Sequence, residues 1–211
     1  MVALALLLFA VLGYLVGSFP SGVVVVKLWK GEDLRRMGSG HTGGMNVRRV
    51  AGVIPAIIAI LGDAAKAILA VKLADILGPQ PWAVPVVATM VVVGHCWPLY
   101  TRFQGGMGLG SASFILLYLS PLSLIILVVV WPLWYLIFRH RYRASAATAL
   151  TAPLALWMTG NTAPMIALGV AVGMVISVRH IPSLKSLRVS NPGLRFDSGA
   201  GSPPGEHHWR I

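Results

Sequence analysis

The stretch Gly94-His95-Cys96-Trp97-Pro98-Leu99-Tyr100-Thr101-Arg102-Phe103-Gln104-Gly105-Gly106-Met107-Gly108-Leu109-Gly110-Ser111-Ala112-Ser113 is a polar, glycine-rich interruption between two hydrophobic runs. Gly105, Gly106, Gly108 and Gly110 carry no side chain, so backbone N–H groups there can close on a ligand. The apolar run that follows offers a helix N-terminus, whose dipole favours an anion. Ser111 and Ser113 add hydroxyls in that first turn, Arg102 brings a fixed positive charge, and His95 titrates near neutral pH. Phosphate suits such a set. A glycine-rich turn between close-packed membrane helices would use the same residues, and this stretch alone leaves both readings open.

The flanking runs decide the fold class. Of 211 residues, 56% are hydrophobic and 11% charged, with a mean hydropathy of +0.78, whereas soluble domains carry about 25% charged residues. The apolar runs are helix-length rather than alternating, which predicts an all-α, polytopic integral membrane helical bundle and argues against a barrel. They are Val2–Leu28, Val50–Leu77, Trp82–Val93, Leu109–Leu119, Leu122–Phe138, Ala144–Met158 and Ala163–Val178, about seven crossings, two of them short. Gly17-Ser18-Phe19-Pro20-Ser21-Gly22 should kink the first, and Ser18 and Ser21 there either pack against a neighbour or face a ligand.

A net charge of +11 would suggest nucleic acid as partner in a soluble protein. Here the charges sort by loop, so no nucleic-acid partner is expected. Lys27 to Arg49, Arg102, Arg139 to Arg143 and the tail from Arg179 are basic, whereas the alternate turns near Pro79, Pro121 and Asn161 hold no Lys or Arg. This pattern places the N-terminus outside and the C-terminus in the cytoplasm. Residues 1–188 read as one membrane domain and 189–211 as a disordered cytoplasmic tail, in which the adjacent His207 and His208 are a weak metal signal. Cys96 reads as a packed thiol.

A second glycine-rich turn, Gly38-Ser39-Gly40-His41-Thr42-Gly43-Gly44-Met45-Asn46-Val47-Arg48-Arg49, also leads into a helix. Attraction of arginines to anionic headgroups accounts for the charges but not for the glycines or Asn46. Asp63 and Lys66 are three apart in the second run, share a helix face and can pair, either as a structural ion pair or as part of a substrate site.

The chain resembles the bacterial acyl-phosphate:glycerol-3-phosphate acyltransferases of the PlsY type. The resemblance covers residues 10–188 and rests on Gly17 to Gly22, on Asp33-Leu34-Arg35-Arg36 with Gly38-Ser39-Gly40, Gly43, Asn46, Val47 and Arg49, and on Asp63 and Lys66. Gly94-His95, Pro98, Phe103, Gly105-Gly106, Gly108 and Arg179-His180 complete it. This chain departs from the family at Met107, where the family has lysine, at His41 for asparagine, and at Met45 for threonine. Ser183, Ser186, Ser190 and Pro192 replace the family's asparagine, arginine, glycine and glutamate after the last helix.

The resemblance implies acyl transfer from an acyl phosphate to sn-glycerol 3-phosphate, in a multi-pass protein of the bacterial inner membrane with a cytoplasmic active site. It implies no cofactor and no metal, membrane lipids as surroundings, and a link to an enzyme that makes acyl phosphate. On this reading Arg36, Ser39, Gly40 and Arg49 hold one phosphate, and Arg102, Gly105, Gly106, Gly108 and Ser111 the other. Asn46 orients substrate, and His95 either accepts the hydroxyl proton or anchors its loop. Ser18, Ser21, His41, Asp63, Lys66, Arg179 and His180 form a further candidate set. A non-catalytic or altered-substrate paralogue with a lipid- or phosphate-binding cavity, and a small transporter, stay open as other readings.

Overall fold

The computed structural model describes the backbone of residues 1–189 and the side chains of residues 1–181. The tail expected to be disordered, with His207 and His208, and the side chains of Ser183, Ser186, Ser190 and Pro192 lie outside the described residues. All regular elements among the described residues are helical.

The first apolar run forms α1 (Val2–Gly17) and α2 (Ser21–Lys30), broken at the expected place. Pro20 has no N–H for the Val16 carbonyl and therefore interrupts the ladder. The Phe19 carbonyl at this break is used by a side chain of another helix, described below. The first glycine-rich turn leads into α3 (Gly44–Ala51), and Gly52, at φ 95°, separates it from α4 (Val53–Leu77).

After a turn at Pro79 to Pro81, α5 (Ala83–Cys96) runs three residues past the expected end at Val93. Nothing in Gly94-His95-Cys96 stops a helix; Trp97, which precedes Pro98, is the first residue pushed out of helical geometry, at φ −132° and ψ 69°. His95 is thus held on a helix end and not in a loop. The remaining runs give α6 (Leu109–Leu119), α7 (Pro121–Phe138), α8 (Arg141–Leu150), α9 (Ala152–Met158) and α10 (Ala163–Val189). Pro153 opens α9 and splits the sixth run in two. No glycine or proline stands at Arg179-His180, so α10 continues through this pair, which was expected beyond the last helix.

Helices therefore occupy all seven runs. Among the described residues, five segments are long and apolar enough to cross a bilayer: Val2–Lys30, Val53–Leu77, Ala83–Thr101, Pro121–Phe138 and Ala163–Ile181. The 11 residues of α6 reach only about 16 Å at 1.5 Å per residue. Leu4, Leu8, Ile125, Val128 and Val129 are exposed on α1 and α7, a surface that water would not tolerate but hydrocarbon would. The chain is a multi-pass membrane protein.

At the centre lies α5, in contact with α1, α4, α6 and α10 and apolar on all sides. Backbone-to-backbone packing lets α1 lie against it. A Cβ on Gly17 would come within 2.7 Å of the Val91 Cα, and one on Gly94 would strike the Tyr14 carbonyl and reach 2.8 Å from the Ser18 nitrogen. Gly94→Ala is expected to cost about 1–3 kcal/mol by overpacking, seen as a lower unfolding midpoint in detergent micelles. Gly43→Ala, which meets open space, serves as the control, and equal midpoints for both variants would refute tight α1–α5 packing.

Candidate active site

Asp33 shapes the first loop by accepting from the Arg35 N–H at 3.0 Å and pairing with its guanidinium at 2.6 Å. Those Arg35 hydrogen bonds hold the Asp33 carboxyl down at about 2. Arg35 also donates to the Thr101 carbonyl at 3.4 Å, joining the first loop to the second. Asn46, buried in the first turn of α3, ties up the rest. Its Oδ1 accepts from Ser39 N–H at 2.9 Å, while its Nδ2 donates to the carbonyls of Met37 at 3.0 Å and His41 at 2.9 Å. Gly38, at φ 57°, has no room for a side chain because a Cβ would land on the Asn46 Oδ1. Asn46 thus shapes the loop from inside, through three hydrogen bonds that occupy both of its N–H donors and one site on its oxygen.

The second loop is fastened more heavily than its glycines suggest. Gly106 N–H donates to the His95 carbonyl at 3.0 Å, and Thr42 N–H reaches the Gly105 carbonyl at 3.5 Å, linking the two loops by backbone. Arg179, from α10, donates through Nε to the Gly106 carbonyl and through Nη2 to the Gly105 carbonyl, both at 2.9 Å. Gly108, at φ 83°, caps α6.

Beneath the loops lies a buried charged network. Lys66 Nζ pairs with Asp63 Oδ1 at 2.8 Å, donates to the Phe19 carbonyl at 2.7 Å and comes within 3.5 Å of His95 Nδ1. His95 Nδ1 lies 3.6 Å from the same Asp63 oxygen. The kink in the first run therefore supplies the acceptor that completes a lysine buried in the membrane.

Between the loops opens a cavity of about 520 Å³. Ser39, His41, Asn46 and Arg49 line it from the first loop and α3, and Met107, Gly108, Gly110 and Ser113 from the start of α6. Asp63 and His95 lie on its lining, as do His180 and, from α8, Arg141, Tyr142 and Ser145. Ile60, Phe114 and Trp131 make an apolar side. Burial, reinforced by the charge of Arg179, lowers the His41 pKa, so that ring is neutral at neutral pH. His180 Nδ1 faces the Ile176 carbonyl at 2.7 Å. A carbonyl only accepts, so Nδ1 bears the hydrogen, and in the neutral form of the ring the lone pair lies on Nε2.

Ser39, His41, Asn46, Arg49, Asp63, His95, Gly108 and His180 are thus brought to one cavity, as expected from residues far apart in sequence. Several expected residues are not. Arg102 is exposed in the left-handed region, at φ 54°, off the cavity. Arg36 is exposed on a 3₁₀ turn, and its neighbour Arg35 makes the contacts instead. Gly40 and Ser111 are also off the lining; the Ser111 hydroxyl is fully buried, and Ser113, two residues on, reaches the cavity. Gly105 and Gly106 are off the lining as well; the Gly106 N–H expected to face a phosphate donates to the His95 carbonyl, and both carbonyls accept from Arg179. Ser18 bonds the Tyr14 carbonyl at 2.8 Å within its own helix. Ser21 and Lys66 line a small recess behind His95. Arg141 and Tyr142 went unnoticed, because the positive-inside pattern already accounted for a basic loop there.

A helical membrane bundle with two glycine loops at a cationic cavity, continued by an apolar side, defines a membrane enzyme that handles amphiphilic anions. The chain belongs to the glycerol-3-phosphate acyltransferase family, which it matches over residues 7–189. It is 36% identical over 182 residues to the glycerol-3-phosphate acyltransferase of Rubrobacter xylanophilus, covering 85% of this chain and 90% of the relative. To that of a Synechococcus strain it is 37% identical over 184 residues, covering 87% and 90%. Among solved structures it is similar to PlsY (YgiH), an integral membrane glycerol 3-phosphate acyltransferase. The glycerol 3-phosphate form has a TM-score of 0.74 and 28% identity, the lysophosphatidic acid form 0.74 and 27%, each covering 88% of this chain and 92% of the other.

Proposed function

We propose that the chain transfers a fatty acyl group from an acyl phosphate to the primary hydroxyl of sn-glycerol 3-phosphate, yielding lysophosphatidic acid and inorganic phosphate. The single observation that carries this reading is that residues of both glycine-rich loops, two arginines and an apolar set from α4, α6 and α7 line one cavity. Ser39, Arg49 and the neutral His41 receive the glycerol 3-phosphate, in a loop preshaped by Asn46. The first turn of α6 receives the other phosphate. The glycerol oxygen bonds to the acyl carbon as the bond from that carbon to the phosphate oxygen breaks, its electron pair leaving with phosphate. The hydroxyl proton passes to His180 Nε2, whose tautomer is set for it, and then to the departing phosphate. His95 serves by holding the second loop through its carbonyl, and Asp63 and Lys66 hold its ring.

An acyl phosphate is already activated, so positioning and charge stabilisation suffice without a covalent acyl-enzyme. The distribution of Lys and Arg supports a cavity at the cytoplasmic face of a bacterial inner membrane, in a chain of about seven crossings with the N-terminus outside. Residues 1–188 form the enzyme, and an acyl-phosphate-producing enzyme supplies its donor.

The test is purified protein with palmitoyl phosphate and glycerol 3-phosphate, followed by phosphate release and lysophosphatidic acid formation. Asn46→Asp is the informative variant: it keeps the acceptor but turns an oxygen toward the Met37 and His41 carbonyls. Loss of two donors in a buried turn should raise KM for glycerol 3-phosphate about tenfold or more. Wild-type protein that forms no product overturns the reading. Met107 lines the cavity at the family's lysine position, so recovery of turnover by Met107→Lys in that case would establish the non-catalytic paralogue.

A further inference from the structure

We infer that Arg141 is the guanidinium that receives the phosphate of the acyl donor, an inference that rests on the reading of the chain as an acyl-phosphate-dependent transferase. Two fully charged side chains line the cavity besides Asp63: Arg49 on the α3 wall and Arg141 at the start of α8. The other cations near the loops are engaged or turned away. Lys66 is paired with Asp63 in the recess, Arg179 is bonded to two glycine carbonyls, Arg35 is paired with Asp33, and Arg102 lies off the lining. Met107, at the mouth of α6, contributes a thioether, which cannot match a phosphate's charge.

Arg141 has no carboxylate partner among the described residues. It is nevertheless preorganised. Its guanidinium lies 4.8 Å over the Tyr142 ring and donates to the Tyr142 hydroxyl at 3.2 Å, and that ring meets His180 edge-on at 5.9 Å. An arginine stacked on an aromatic face keeps the outer edge of its fork available for a bidentate anion.

Placement on α8 decides which phosphate it meets. Ser145, four residues on and therefore on the same helix face, accepts from the Trp131 indole N–H at 3.1 Å. Arg141 thus shares a helix face with the residue that holds Trp131, which together with Phe114 gives the cavity apolar lining suited to an acyl chain. Arg49 stands with Ser39 and Asn46 on the wall assigned to glycerol 3-phosphate. The two guanidinium groups divide the two phosphates between them.

The experiment compares wild type, Arg141→Gln and Arg141→Lys in turnover of palmitoyl phosphate and in equilibrium binding of a hydrolysis-resistant palmitoyl phosphonate. Arg141→Gln should raise KM for palmitoyl phosphate and weaken phosphonate binding by about 10- to 100-fold, as expected for a lost charged hydrogen bond. KM for glycerol 3-phosphate should not move. Arg141→Lys, which folds with the same charge but has no planar fork, should recover part of the loss. Unchanged donor KM and phosphonate binding in Arg141→Gln, or a rise confined to glycerol 3-phosphate, overturns the assignment. Wild type that binds the phosphonate without turnover, with binding lost in Arg141→Gln, overturns the proposed function and leaves this inference standing. Wild type that neither turns over nor binds overturns both.

Discussion

Gly106→Ala lowers kcat for acyl transfer about 100-fold, the order of loss that a 1 Å displacement of a positioned loop produces. A Cβ at this position would land on His95 Nε2 and lie 2.9 Å from both Cδ2 and Cε1 of the ring. The ring cannot retreat, because its Nδ1 side is walled by Asp63 Oδ1 at 3.6 Å and Lys66 Nζ at 3.5 Å. The loop must move instead, and it would pull against Arg179, whose two bonds end on the carbonyls of Gly105 and Gly106. Val128→Ala, on the exposed apolar surface of α7 and off the cavity lining, should retain most of the activity. Steady-state kinetics on the two variants, with a thermal melt to confirm that both fold, decides the matter. Equal activity in the pair would mean that contact between His95 and the loop has no part in positioning.

Asp63→Ala destabilises the protein by about 3–5 kcal/mol, the cost of leaving one member of a buried ion pair without the other. Lys66 would keep the Phe19 carbonyl but lose the carboxylate it pairs with, within a helix that crosses the membrane. Removing both charges should be far milder. Asp63→Leu combined with Lys66→Met is expected to regain most of the unfolding midpoint while activity stays low, because His95 Nδ1 loses the groups that set its orientation. Unfolding in detergent micelles measures the first effect and product formation the second. A single variant as stable as wild type would show that water reaches the site and solvates the lysine. A double variant with full activity would reduce the triad to a structural role.

Composition and the lengths of the apolar runs were enough to establish a helical membrane bundle, because hydrocarbon leaves a chain few ways to satisfy its backbone. The break at Pro20, the two glycine-rich turns, Asn46 and the 63–66 pair were equally legible, since each depends on neighbours within a few positions. Helix ends at His95 and His180 were read too early; both residues are polar, but neither breaks the hydrogen-bond ladder.

The duties of the arginines could not be read this way. Arg102 adjoins the glycines in sequence but turns away, whereas Arg179, 73 residues beyond Gly106, grips them. Arg141 was hidden in a loop whose charge already had an explanation. Local sequence determined which segments are helices and where the chain can bend. The tertiary structure alone decided which guanidinium reaches which carbonyl or cavity wall, because that depends on the rotation and depth of each helix against α5, set by close packing at Gly17 and Gly94.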